Sequence, residues 1–178
     1  MLDKATELFW KQGFESTTLD DILKATGFNR HSLYNEFGSK EGLFIEVLKN
    51  YRAQSNERLT PLAEQRGLEA LNTLFDVRRP FDGSGRGCLF TSTINERHCV
   101  PPEAFDISRS SYRGVEDMVY GAVRQAQEDG EIPAEKDPKS LAQYVVLILQ
   151  GLGTMSKAGM TENEASKLTD QTLAFLQQ

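Results

Sequence analysis

The sequence is poor in the residues that most site-based chemistries need. Two cysteines, Cys88 and Cys99, and two histidines, His31 and His98, occur in 178 residues. That count is too small for a disulfide framework. Neither cysteine has partners at the spacing of a zinc site, so no metal is expected, and a reducing compartment suits the thiols. His98 beside Cys99 is no activated pair either, because adjacent helical residues do not face each other. A nucleophile elbow, a paired-histidine metal motif and a dinucleotide glycine fingerprint are all missing, so there is no catalytic residue to nominate and no cofactor to expect; the chain reads as a non-enzyme. Apolar runs stay short of the roughly 18 residues that a membrane span requires, and the first residues lack the basic, apolar and cleavage-site succession of an export signal. A membrane is therefore not an expected partner, and the chain reads as cytoplasmic. Repeats and low-complexity tracts are absent, and 39% hydrophobic with 26% charged residues is the composition of a folded chain. No convincing strand pattern appears, which leaves an all-α fold.

Helix punctuation is what the chain has in quantity, most densely between Thr17 and Leu43. Thr17 or Thr18 can cap a helix, because Asp20 and Asp21 lie three residues on, just before Ile22 and Leu23. Gly27 ends that helix after about two turns, and Asn29, a preferred N-cap, starts another at once, which is the punctuation of a helix-turn-helix. The second helix, Asn29 to Phe37, would bury Leu33 and Phe37 together with Phe28 and Ile22. His31, Ser32 and Asn35 then point away, where they can meet base edges in a major groove. Arg30 and Tyr34 fall on the flanks, and with Thr17, Thr18 and Lys40 they are the expected phosphate contacts. Gly38 breaks this helix and Ser39 caps the next.

These residues resemble a known family. Gly13-Phe14, Thr17-Thr18-Leu19, Ile22, Gly27, Leu33-Tyr34, Phe37, Ser39-Lys40-Glu41 and Leu43-Phe44 stand where the TetR family of transcriptional regulators carries its DNA-binding signature. The likeness is specific over residues 1–50 and beyond that rests on length and helical order. It implies a three-helix DNA-binding head, residues 1–45, and a helical regulatory and dimerisation body, residues 46–178, about nine helices in all. It also implies a homodimer that holds a double-stranded DNA operator and answers to a small-molecule effector, most simply as a repressor. Asn29-Arg30-His31-Ser32 departs from the residues usual at the start of the recognition helix, so the operator sequence does not carry over. The family often has a short basic arm before the first helix. Here Leu2, Ala5, Leu8 and Phe9 are already in helical register, so the arm is expected to be missing and non-specific affinity to be lower.

Charge gives the DNA reading no general support. The net charge is −6, and residues 1–60 hold eight basic against nine acidic residues. The cations Lys24, Arg30 and Lys40 are nevertheless grouped around the expected contact face. The same balance keeps a second reading open: an all-helical small-molecule or protein-binding module that no longer reads DNA.

Further along, helices are expected from Ser39 to Leu59, Gly67 to Arg78, Cys88 to His98, Pro102 to Asp129, Pro138 to about Lys157 and Thr161 to the C-terminus. Pro80 to Gly87 reads as a loop, whose Asp82-Gly83-Ser84-Gly85-Arg86-Gly87 run lacks the Lys and hydroxyl ending of a phosphate cradle. The segment Leu141 to Leu149 is apolar on nearly every side and must be covered twice. On that ground Tyr144, Val145, Ile148, Leu149, Leu168, Thr172, Phe175 and Leu176 are the expected dimer interface. The family resemblance implies an effector pocket, for which Phe75, Phe90, Ile94, Tyr112, Arg113, Met118 and Met155 are the candidates. Some regulators resembling this one sense oxidants or electrophiles through a cysteine, a role open here to Cys88 or Cys99, against the commoner fate of an inert thiol.

Overall fold

The computed structural model describes residues 2–78 and 87–178. Among these residues the chain forms nine α-helices, one 3-10 turn and no strand. The helices are α1 (Leu2–Gln12), α2 (Leu19–Thr26), α3 (Arg30–Phe37), α4 (Lys40–Leu59), α5 (Gly67–Arg78), α6 (Leu89–Asn95), α7 (Pro102–Glu128), α8 (Pro138–Lys157) and α9 (Glu162–Gln177), with the 3-10 turn at Thr60–Glu64. Local chemistry accounts for most of these bounds. The Thr18 hydroxyl accepts from the Asp21 N–H while the Asp21 carboxylate accepts from the Thr18 N–H, and Thr161 and Glu164 close the same reciprocal box on α9. Pro138 fills the first position of α8 behind Asp137, which accepts from the N–H groups of Lys139 and Ser140. Helix α6 is shorter than the expected Cys88 to His98. The N–H of Arg97 bonds Ile94 O at 3.2 Å and that of Cys99 bonds Glu96 O at 2.8 Å, so the chain leaves the helix through tight i to i−3 turns. The expected loop from Pro80 lies outside the described residues apart from Gly87.

The chain divides into two compact units, Met1–Ser55 with Leu89–Ser111, and Asn56–Cys88 with Tyr112–Gln178. The first unit is therefore larger than the head expected at residues 1–45, since it keeps most of α4 and takes in α6 and the start of α7. Its core holds Ala5, Phe9, Phe14, Ile22, Leu33, Leu43, Phe44, Val47 and Leu48, all buried. The Phe44 ring lies 4.8 Å from those of both Phe9 and Phe14. Each buried phenylalanine contributes roughly 1.5–3 kcal/mol of transfer free energy, so this triad is a large part of what a small unit can gather. Tyr51 extends the core, its ring 5.1 Å from Trp10 on one side and 4.9 Å from Phe90 on the other.

In the second unit α5, the later part of α7, α8 and α9 close around Leu71, Leu74, Phe75, Val119, Val123, Val145, Ala165 and Leu176. Helix α8 turns Leu141, Ala142, Val145, Leu149 and Leu152 into this core. Its other side carries Leu147, which is 68% exposed.

The caps make a pH prediction. Asp21, Asp137 and Glu164 are each held below the ordinary carboxylate range, Asp21 and Asp137 chiefly by side-chain hydrogen bonds from Thr18 and Ser140, Glu164 chiefly by the Thr161 N–H. A carboxyl whose folded pKa is lowered stabilises the fold above its unfolded pKa, and that contribution is lost as pH falls through the lowered value, below about pH 4. Asp137→Asn and Glu164→Gln should lower the melting temperature at neutral pH and differ little from the parent near pH 2. A deficit of equal size at both pH values would show that the cap charges are not responsible.

Candidate nucleic-acid interface

Helices α2 and α3 are joined by a turn that only a narrow set of residues permits. Gly27 adopts φ 80°, a left-handed conformation costly for a side chain, and its N–H caps α2 at Leu23 O. Asn29 then accepts from the Ser32 N–H at 2.8 Å and starts α3. Leu33 is fully buried, and the Phe28 and Phe37 rings lie 6.4 Å apart beneath the helix, which fixes its rotation. His31, Tyr34 and Asn35 are consequently exposed and Ser32 is half-buried. The imidazole Nε2 of His31 and the amide of Asn35 are 3.1 Å apart, so the two side chains act as one polar unit on a single helix face. Arg30 reaches across the turn to Asp20 at 3.0 Å, a solvent-exposed ion pair of little weight for stability.

The expected phosphate contacts divide. Arg30, Thr18 and Tyr34 are exposed, the Thr18 hydroxyl donating to Asp21 at 2.6 Å. Thr17 is wholly buried and its hydroxyl donates to Gly13 O at 2.6 Å, so it is a structural residue and not a surface contact. Lys40 is half-buried; its ammonium donates to Phe14 O and Thr17 O, both at 2.9 Å, and sits 4.3 Å from the Phe14 ring centre. It clamps the turn between α1 and α2, with one N–H of the three to spare.

A residue that the sequence reading did not single out closes the same turn from outside. Glu96 accepts from the Phe14 N–H at 2.7 Å and from the Glu15 N–H at 3.0 Å. These donors lie in the turn after α1, and a carboxylate is the strongest acceptor available for them. Gly13, at φ 81°, is part of the arrangement, because a Cβ there would run into the Glu96 carboxylate. With donor and acceptor 82 positions apart, the sequence offered no signal beyond the glycine itself.

The other candidate residues also separate. Phe90 and Ile94 belong to the first unit, whereas Phe75, Tyr112, Arg113, Met118 and Met155 belong to the second. Phe75 and Phe90 are closely packed core residues and Arg113 is exposed, while the Tyr112 hydroxyl donates to Gln150 at 3.0 Å. A cavity of about 220 Å³ does exist in the second unit, between the 3-10 turn, α5 and α7, and of the seven candidates Met118 alone lines it. Among the expected interface residues, Val145, Leu149, Thr172 and Leu176 are buried inside the second unit, so they hold its own helices together and are not surface contacts. The α8 pattern, apolar all round, hid which side faced out. Leu168 and Phe175 are exposed at 40% and 47%, with Tyr144 and Ile148 half-buried beside them. Leu147 and Met155, the latter 47% exposed, complete an apolar face.

A capped helix pair that presents a polar face at a fixed rotation is a helix-turn-helix of the DNA-binding kind. The chain belongs to the TetR family of bacterial regulatory proteins: the family model for its N-terminal domain matches residues 1–47, and that for the tetracyclin repressor-like C-terminal domain matches residues 67–171. It is 32% identical to the HTH-type transcriptional repressor ComR of Escherichia coli (strain K12), over 97% of this chain and 85% of that protein. The HTH-type repressor BdcR of the same organism is 25% identical, over 89% of this chain and 78% of that protein. Among solved structures, a cysteine mutant of the TetR family regulator CifR complexed with 26-bp operator DNA superposes with a TM-score of 0.81 at 26% identity, covering 97% of this chain and 93% of that one. A TetR family regulator from Agrobacterium tumefaciens shares the fold at a TM-score of 0.89 and 17% identity, covering 99% and 95% of the two chains.

Cys99 is exposed, yet its thiol is pushed up from the ordinary range, first by its hydrogen bond to Glu15 and then by desolvation and the charges of Glu15 and Glu96. The thiolate is the nucleophile, so a raised pKa lowers the share of Cys99 in its reactive form. Glu15→Gln should lower the Cys99 pKa and speed its alkylation by iodoacetamide near neutral pH, followed by mass spectrometry. An unchanged rate would remove Glu15 as the cause.

Proposed function

We propose that the chain represses transcription by holding operator DNA as a homodimer and releasing it when a small molecule binds. The observation that carries this reading is the exposed face of α3, where buried Leu33 fixes the rotation that leaves His31, Tyr34 and Asn35 in solvent. A major groove about 12 Å wide admits such a helix, and the bidentate amide of Asn35 suits adenine. Ser32 and His31 complete the base-facing set, while Arg30, Thr18, Tyr34 and the spare N–H of Lys40 serve phosphates. The repressor names of ComR and BdcR and the operator complex of CifR support the same reading.

Dimerisation is proposed through α8 and α9, on the face formed by Tyr144, Leu147, Ile148, Met155, Leu168 and Phe175. Gly151, with no atom within 4 Å of where its Cβ would be, leaves room for a second helix to approach. A two-fold pairing would set the four helices as a bundle and place two α3 helices at half-sites about 34–36 Å apart, or a multiple of that. The acidic balance of residues 1–60 favours the other reading, a helical binding module without DNA affinity; salt-dependent binding of duplex DNA decides between them.

On an operator selected from random-sequence DNA, Asn35→Ala should cost about 1–3 kcal/mol at the preferred base and little on unrelated DNA. Arg30→Ala should weaken all sequences alike and flatten the salt dependence. Identical losses from both variants on every DNA would mean that the faces of α3 are wrongly assigned.

Leu147→Glu should yield a folded monomer in sedimentation, with its helical signal intact. Val145→Glu should instead unfold the second unit, because a carboxylate would enter its dry core. A Leu147→Glu protein that still sediments as a dimer would move the interface elsewhere.

A further inference from the structure

We infer that the cavity between the 3-10 turn, α5 and α7 binds a compact organic ammonium ion, an apolar ring or short chain carrying one protonated amine. The inference rests on the ligand-responsive reading above and gives the effector a place and a chemistry. Leu62, Leu71, Leu74, Val119 and Ala122 supply apolar wall, and Met118, 36% exposed on α7, leaves apolar surface for a ligand to cover. An apolar cavity of roughly 150 Å³ takes up benzene, so about 220 Å³ suits one ring with a short tail.

The polar groups of the lining specify the charge. The side-chain oxygen of Gln65 is shut off from solvent and has no hydrogen-bond partner. A buried acceptor left unpaired is costly and gains from any donor brought to it. The terminal torsion of a glutamine is soft, so the amide can turn its oxygen toward the cavity. Asp117 also lines the cavity, exposed at its edge, and no lysine, arginine or histidine is among the lining residues. Gln125 is the one other polar side chain of the lining and carries no charge, so Asp117 sets the sign: the carboxylate disfavours an anion and favours a cationic donor, whose N–H groups can serve it and the amide oxygens together. Gly121 keeps the wall low, since no atom lies within 4 Å of where its Cβ would stand.

The test is calorimetric titration of the full chain with 2-phenylethylammonium chloride, set against 2-phenylethanol and phenylacetate as neutral and anionic counterparts of the same shape. The ammonium should bind about tenfold more tightly than the alcohol, as one charge-assisted hydrogen bond allows, and phenylacetate should not bind. Asp117→Asn should bring the ammonium down to the level of the alcohol and leave the alcohol unchanged. Gln65→Leu should weaken both, and Gly121→Leu, which fills the cavity from an open helical position, should abolish binding with the circular dichroism unchanged. Phenylacetate binding as tightly as the ammonium, wild-type affinity in Asp117→Asn and Gly121→Leu, or no binding of the ammonium at all would overturn the inference. Titration in the presence of operator DNA separates the two levels. Binding that follows the variants but leaves DNA affinity unchanged keeps the site and removes its link to release, whereas DNA release that persists in Gly121→Leu assigns the effector to another place.

Discussion

The carboxylate of Glu96 on the N–H groups of Phe14 and Glu15 is the contact on which the geometry of the DNA-facing unit depends. Without it, the turn that sets α2 against α1 would be held by Lys40, the bonds of Thr17 to Gly13 O and Phe14 O, and the packing of Phe14. With it, two donors of the turn after α1 are satisfied by an ionised acceptor, and Gly13 supplies the room. The same turn therefore carries an anion on its outer side and an ammonium on its inner side. Each neutralises a different end of the local backbone, the carboxylate its donors and the lysine its carbonyls. The rotation of α3 is inherited from that frame, because Leu33 can bury only if α1 and α2 are already placed.

This explains why a three-helix head was legible as a motif but not as a unit. A segment of some 45 residues gathers a small core, and here the core is completed by Tyr51 on α4 and Phe90 on α6. Lys49 adds a polar link between α4 and the start of α7, 3.0 Å from Glu46 and 3.3 Å from Glu103.

Local features could be read from the sequence with little loss. The boxes at Thr18 and Thr161, the Gly27 stop, the Asn29 start and the Pro138 first turn all depend on residues within four positions of one another, and all lie where that chemistry put them. Facing was legible only where the pattern had contrast. In α3, two apolar residues among polar ones fixed the buried side. In α8, Val145 and Leu147 are equally apolar, and only tertiary packing decides that one enters the core and the other meets solvent. The burial of Thr17 and the turn-clamping bonds of Lys40 were hidden for a related reason. Their partners are backbone carbonyls, Gly13 O for the threonine and Phe14 O with Thr17 O for the lysine, and carbonyls leave no trace in a sequence.

The ion pair between Arg30 and Asp20 has a consequence for how such a protein would search a chromosome. A phosphate must compete with a carboxylate already 3.0 Å from the guanidinium, and it must do so on a chain of net charge −6. On random DNA, where phosphate attraction is nearly the whole of the binding, that competitor would shorten each visit slightly. On the proposed assignment Arg30 would exchange Asp20 for phosphate on every sequence alike, while base contacts through α3 would lengthen the stay at an operator. The pair would thus trim the dwell time on any DNA by the small weight of an exposed ion pair, leaving the difference between operator and random sequence to the base contacts.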